Sequence, residues 1–280
     1  MKIIGKEDLL FPQKLKRLKI SEIYVEGNEK IINNFGIGVV GSRNSSREGE
    51  RITQEFVKQF CKYNMNIISG MAKGIDSMAH QTCINNGGIT IAVLGSGFNH
   101  IYPKENKILY EEIIRSGGAV ISEYPPETEP DSQHFPKRNR IISALSDGIL
   151  MIEGKHRSGT TITAEYGFKQ KKPVFCLPHS ISNSYGTGPN SIIKKGGILV
   201  TQAKDIIKYY EDKNIKFIKK ESKKNYNNKI LRLLSDEILT KEELAIRLNK
   251  SISEVNQELT MLELEGTITQ EYGKGYRIIE

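Results

Sequence analysis

The sequence contains no tryptophan and only three cysteines, Cys61, Cys83 and Cys176, with no CxxC pair and no histidine at metal-ligand spacing. A disulfide-stapled secreted domain and a cysteine-built zinc site are thereby excluded. The thiols are expected to act as small buried hydrophobes in a reducing compartment. No run reaches the roughly 18 apolar residues that a membrane helix needs. The opening MKIIGKEDLL has no long apolar core and no small-residue cleavage site. A cytoplasmic protein without membrane contact or metal is expected.

Charge is present in surplus: 41 Lys and Arg stand against 33 Asp and Glu in 280 residues, a net of +8. Such a surplus suits a polyanionic partner and says nothing about fold. A codon bias that enriches lysine would produce it too. It is unevenly placed, because residues 226–280 hold 7 basic and 10 acidic side chains, leaving a net of +11 on the remainder.

From about residue 36 to 211, short β-branched runs alternate with amphipathic stretches. The strand candidates are Gly38–Val40, Asn66–Ser69, Thr90–Leu94, Ala119–Ser122, Ile149–Ile152, Val174–Leu177 and Ile198–Thr201, with helix-like segments near 46–63, 76–86, 104–116, 136–146, 160–171 and 188–195. Strands apolar on both faces are those of a parallel sheet covered by helices. Strict alternation implies right-handed crossovers and an α/β fold, an extended Rossmann-like doubly wound parallel sheet. Residues 1–35 read as a short extension packed on that core. Residues 212–225 read as a flexible lysine-rich linker. Residues 226–280 read as three helices and a hairpin, a small C-terminal winged-helix domain, with Thr240 and Glu243 as a capping box and a turn at Gly273–Gly275.

The stretch GIGVVG, from Gly36 to Gly41, spells a dinucleotide fingerprint, but Val39 and Val40 lie inside the strand and only Gly41 sits at the turn. The second strand ends without the acidic residue that would hold a ribose. No nucleotide cofactor is expected. Ligands of open α/β sheets bind beyond the carboxyl ends of the strands. The loops there are Gly41-Ser42-Arg43, followed by a capping box from Ser45 and Glu48; Ser69 to Asp76, which includes Gly70, Lys73 and Gly74; Gly95-Ser96-Gly97; and Glu153 to Thr161, which includes Lys155, Arg157, Ser158, Gly159 and Thr160. Glycine-rich turns running into helix N-termini, with four cations among them, predict a phosphate-binding face.

FPKRNR, Phe135 to Arg140, places Lys137, Arg138 and Arg140 around Asn139 in the first turns of a helix, where cations oppose the dipole unless an anion is bound. A salt bridge to Asp131 or Asp147 would also satisfy them. Phe98, Tyr102, Tyr124 and Phe135 either stack on bases or pack in a lid or core. His80 reads as a packed or hydrogen-bonded histidine rather than a base, and Asp76 as a helix cap. Glu123 and Glu153 end strands at the binding edge and leave a carboxylate pair open. No side chain is placed as a nucleophile, so no catalytic residue is expected.

GSR, SGMAKGIDSMAH, VLGSG, YPKEN, SEYPPET, FPKRNRIIS and the SGTTIT that follows Glu153 occur here in the order and spacing of the DNA-processing protein A family (DprA, also called Smf). The chain resembles that family from about Phe11 to Asp205. The resemblance implies a homodimer that binds single-stranded DNA, protects it, and loads the RecA recombinase during natural transformation. Carried over by position, Arg43, Lys137, Arg138 and Arg140 would grip phosphates, with the loops at Gly70, Lys73 and Ser158–Thr160 lining the pocket. Pro178-His179 stands where the family usually has Pro-Gly. An alternative reading starts from the SGT loop, which is similar to that of LOG-type nucleotide phosphoribohydrolases; the position of their catalytic glutamate holds Thr163 here, and Glu165 comes two residues late. In the other alternative the winged helix is a duplex-DNA regulator. Its recognition helix would be Ser251 to Glu265, which carries Glu254, Glu258, Glu263 and Glu265 and no cation.

Overall fold

The computed structural model describes residues 1–219, 228–235, 237–271 and 273–279, in two compact units, Met1–Lys220 and Glu221–Glu280. In the larger unit, β1 (Lys2–Gly5) and β2 (Glu22–Gly27) precede an alternation of β3 (Gly36–Val40), α1 (Arg47–Lys62), β4 (Asn66–Ser69), α2 (Ile75–Asn85), β5 (Thr90–Leu94), α3 (Lys107–Arg115), β6 (Ala119–Ser122), α4 (His134–Leu145), β7 (Gly148–Met151), α5 (Gly159–Lys169), β8 (Val174–Cys176), α6 (Thr187–Lys194), β9 (Ile198–Leu199) and α7 (Ala203–Glu211). The strands form one sheet in the order β1-β2-β6-β5-β4-β3-β7-β8-β9. All neighbours from β6 to β9 are parallel. The Rossmann-like doubly wound sheet therefore forms, and β4, β5 and β6 have the ends their sequence suggested. Residues 1–35 do more than pack on this core: β1 and β2 lengthen the sheet by two antiparallel strands.

Period-two alternation explains why these strands are buried on both faces. Ile91 and Val93 of β5 enter one cluster with Ile141, Leu145 and Ala164 of α4 and α5. Ala92 and Leu94 enter another with Leu109 and Ile113 of α3. In β7, Ile149 and Met151 join the first set, while Leu150, with Ile152 just beyond the strand, meets Phe56, Phe60, Ile206 and Tyr210 from α1 and α7. Each fully buried apolar side chain stabilises the fold by about 1.5–3 kcal/mol. The three cysteines are buried in these layers and none is disulfide-bonded; burial pushes the Cys176 thiol up to about 12.

The start of the lysine-rich segment is fastened rather than free. Phe217 packs on Phe35 and Tyr210, with ring centroids 5.0 and 6.3 Å apart, and Asn64 donates to the Ile218 carbonyl at 3.3 Å. Positions 220–225 of the expected linker lie outside the described residues.

The smaller unit contains α8 (Lys229–Leu234), α9 (Lys241–Leu248), α10 (Ile252–Leu264) and the hairpin β10 (Ile268–Glu271) with β11 (Gly275–Ile278). The Thr240–Glu243 capping box forms in both directions, at 2.8 and 3.2 Å. Ile230, Leu244, Val255 and Leu259 make its core. Two of the four glutamates between residues 251 and 265 are engaged within the unit. Glu254 caps α10 through Ser251, and Glu258 pairs with Lys250.

His80 of α2 is fully buried. Thr90 donates its hydroxyl to the Ile67 carbonyl at 2.9 Å, so the 2.6 Å contact between Thr90 and His80 Nδ1 is donated by the ring. Burial, aided by the Arg138 charge, lowers the His80 pKa from 6.5 to about 3. The imidazole is therefore a neutral core group, and its folded-state pKa lies below the unfolded one. Its contribution is complete above pH 6.5 and is lost as pH falls from 6.5 towards 3, by about 1.4 kcal/mol per pH unit. Between pH 6.5 and 5, urea denaturation of the wild type should lose about 2 kcal/mol more than a His80→Gln variant. Equal slopes for the two proteins would contradict this assignment.

Candidate functional site

The strand order reverses between β3 and β7, which pair side by side in parallel although their chain segments are far apart. Loops leaving such neighbours diverge to opposite faces and open a crevice at their carboxyl ends. Here that crevice is a cleft of about 890 Å³. Its walls include Gly41, Ser42 and Arg43 after β3, Lys155, Arg157 and Ser158 after β7, Gly159 and Thr160 at the start of α5, and Arg138 and Asn139 of α4.

Local chemistry builds each wall. The β7 loop turns into α5 through Ser158, whose N–H donates to the Thr161 hydroxyl at 2.9 Å. The first N–H groups of any helix have no partner within it, and with the dipole they favour an anion. Arg43, Lys155 and Arg157 are exposed and have no ion-pair partner among the described residues. Arg43 lies over the Phe135 ring at 5.3 Å, and Phe135 in turn meets Tyr102 at 5.3 Å between centroids. Phe135 and Tyr102 both line the cleft. Phe98 and Tyr124, the other two aromatic candidates, are buried, Tyr124 stacked on His134 at 4.1 Å.

The Ser69–Asp76 loop supports the cleft from behind. Gly74 has φ +75°, and a side chain there would run into the Ser42 carbonyl oxygen, so only glycine fits. It is also the cap position of α2; Asp76, expected as the cap, sits two residues further on, in the first turn, and accepts from the Gly70 N–H at 3.1 Å. A Cβ on Gly70 would lie 2.7 Å from Arg138 and 2.8 Å from Asp76, so the bare backbone lets those two groups close over it. Neither Gly70 nor Gly74 is a lining residue of the cleft.

Arg138 is only 4% exposed. Its Nη1 donates to the carbonyl oxygens of Gly70, at 2.5 Å, and Val93, and its Nε to Asn139 at 3.1 Å. Asn139 then donates to the Gly159 carbonyl at 3.1 Å, tying α4 to α5. Burial brings the Arg138 guanidinium down to about 10, partly offset by the attraction of Asp76, and raises the Asp76 carboxyl.

The remaining predicted cations stand elsewhere. Lys73 pairs with Glu105 at 2.6 Å on the surface. Arg140 donates from Nη2 to both carboxylate oxygens of Glu123, at 2.5 and 2.6 Å, and Lys137 reaches the same carboxylate at 3.2 Å. Their acidic partner is thus Glu123, not Asp131 or Asp147. Glu153 is also committed: fully buried, it accepts from the Ser46 N–H and hydroxyl at 2.9 and 2.7 Å at the start of α1. The cap of α1 is accordingly Ser46, not Ser45. Gly95 and Gly97 give close passage to Phe135, Pro125 and Pro126 and do not reach the cleft. His179 secures its loop by donating from Nε2 to the Ile152 carbonyl at 2.8 Å. The wall residue Tyr185, whose carbonyl accepts from Gly154 at 2.7 Å, lies in a Ser- and Gly-rich loop that carried no charge signal.

A sequence profile described as DNA recombination-mediator protein A matches residues 2–211, and one described as DprA winged helix domain matches residues 221–274. The chain belongs to the DNA recombination-mediator protein A family. The DNA processing protein DprA of Bacillus subtilis is 40% identical over 181 residues, which are 65% of this chain and 61% of that relative. The crystal structure of DprA from Streptococcus pneumoniae matches with a TM-score of 0.69 at 36% identity, over 74% of this chain and 73% of that one. A Helicobacter pylori DNA processing protein A structure, described for its single-stranded DNA binding mode, matches with a TM-score of 0.67 at 25% identity, over 76% of this chain and 97% of that one. Among the described residues, no helix is long and apolar enough to cross a membrane, and no group of three His, Cys, Asp or Glu side chains is placed to hold a metal.

Proposed function

We propose that the cleft binds single-stranded DNA. The observation that carries this reading is the meeting of three exposed cations without ion-pair partners among the described residues, a helix N-terminus and two ring faces in one crevice. Arg43, Lys155 and Arg157 face phosphates together with the backbone of Ser158, Gly159 and Thr160, and Tyr102 and Phe135 offer faces to bases. Gly41, where a side chain would strike Ile75, and Ser42 form the wall that the strand follows. Gly70, Gly74, Arg138 and Asn139 hold the floor. Lys73 takes part by exchanging Glu105 for phosphate, which is cheap for an exposed pair, and the exposed Lys137 by leaving Glu123, whose largely buried carboxylate keeps Arg140. Residues 36–211 hold the activity, with 1–35 completing the sheet and 226–280 contacting protein. The similarity to a relative described for its single-stranded DNA binding mode supports this reading, and we extend it to a wider role: a cytoplasmic, non-catalytic homodimer that protects incoming DNA and loads RecA during natural transformation.

Fluorescence anisotropy on the full chain tests the central statement. A single strand should bind at least about tenfold more tightly than the duplex of the same sequence, with a steep salt dependence. Equal affinity for both, or release of base from a nucleoside monophosphate, would reject it. The hydrolase alternative fares poorly on geometry: Thr163 bonds its own helix at the Gly159 carbonyl, 3.2 Å away, and Glu165 pairs with Lys195 at 3.0 Å outside the cleft.

A further inference from the structure

A second cavity, of about 780 Å³, adjoins the first. The two share Tyr102 and Pro130 as walls. Tyr102 is 46% exposed, and its ring continues the column that runs from Arg43 through Phe135. Beyond it lie Phe98, His100, Ile101, Lys104, Lys107 and Glu129. Lys104 and Lys107 are exposed and have no ion-pair partner among the described residues, while the neighbouring Lys73 is already neutralised by Glu105. His100 faces Glu127 at 4.0 Å. The cavity thus combines an aromatic wall with two cations against one lining carboxylate.

We propose that the strand-binding surface continues past Tyr102 into this cavity, where Lys104 and Lys107 hold the phosphates of nucleotides that the first cleft does not reach. This rests on the single-strand reading above. The shared wall makes the two cavities one path, with Tyr102 at the crossing where a base stacks as the backbone passes between the arginine-rich and lysine-rich ends. Lengthening the ligand therefore adds contacts made by a separate set of residues.

Oligothymidylates from about 4 to 16 nucleotides, titrated against the full chain, separate the two sets. For the wild type, affinity should rise with length until both cavities are filled. The Lys104→Ala/Lys107→Ala variant should match the wild type on the shortest strand. On the longest it should bind roughly tenfold more weakly, with a salt slope reduced by about 1.4 for two lost phosphate contacts. Both lysines are exposed, so an unchanged melting temperature verifies the fold. Wild-type behaviour of the variant at every length, or an equal loss on short and long strands, would overturn the proposal. Absence of binding to any length by the wild type would instead sink the single-strand reading itself.

Discussion

Arg138→Ala should cost the larger unit about 3–5 kcal/mol of stability. The side chain is buried, and three changes follow its removal. The carbonyls of Gly70 and Val93 lose their donor, each buried unsatisfied group costing about 1–3 kcal/mol. Asp76, whose carboxylate is already disfavoured by burial, loses the cation that compensates it. Asn139 loses the contact that orients it towards α5. In a unit of this size the melting temperature should fall by roughly 10 °C or more. Adding Asp76→Asn should recover part of the loss, because it removes the unpaired charge. Calorimetry on the full chain would resolve this transition. An unchanged melting temperature together with tenfold weaker DNA binding would make Arg138 a phosphate ligand and not a brace.

The parallel core was legible because its strands are apolar on both faces, a pattern that depends only on neighbouring residues. β1 and β2 were not. KIIG and EIYVEG are short and half exposed, and their pairing is fixed by an edge, β6, that lies about a hundred residues away. The loops that line the cleft were legible as glycine followed by helix, including Lys155 and Arg157 as loop cations. The roles inside FPKRNR were not. Arginine in a first helical turn reads the same whether it faces an anion or a pair of carbonyls, and those carbonyls belong to residues 68 and 45 positions earlier. The glutamates Glu123 and Glu153 posed the same problem, since each finds its partner only after folding. In the winged helix, Glu254 and Glu258 counted as free negative charge in the sequence but are taken up by Ser251 and Lys250.

The three cleft cations should show the opposite behaviour to Arg138. Arg43, Lys155 and Arg157 are exposed and hold no ion pair among the described residues, so replacing all three by alanine should leave the melting temperature within about 2 °C. Arg157 sits at φ +58°, a conformation that alanine tolerates about as well as arginine. Binding should suffer heavily. Each lost phosphate contact lowers the salt slope on a single strand by about 0.7, so the slope should fall by about 2 and the affinity by roughly 100- to 1000-fold at moderate salt. The loss should be similar for all sequences, because phosphates carry no sequence information. Removing three charges also lowers the overall surplus, and that contribution has to be separated. Lys6, Lys16 and Arg17 are exposed and line neither cavity, so their triple alanine variant removes the same charge elsewhere. It should retain nearly all affinity, since exposed charges beyond about 10 Å are screened at ordinary ionic strength. Equal losses in the two triple variants would mean that binding follows the net charge of the chain and that the cleft has no special claim on the strand.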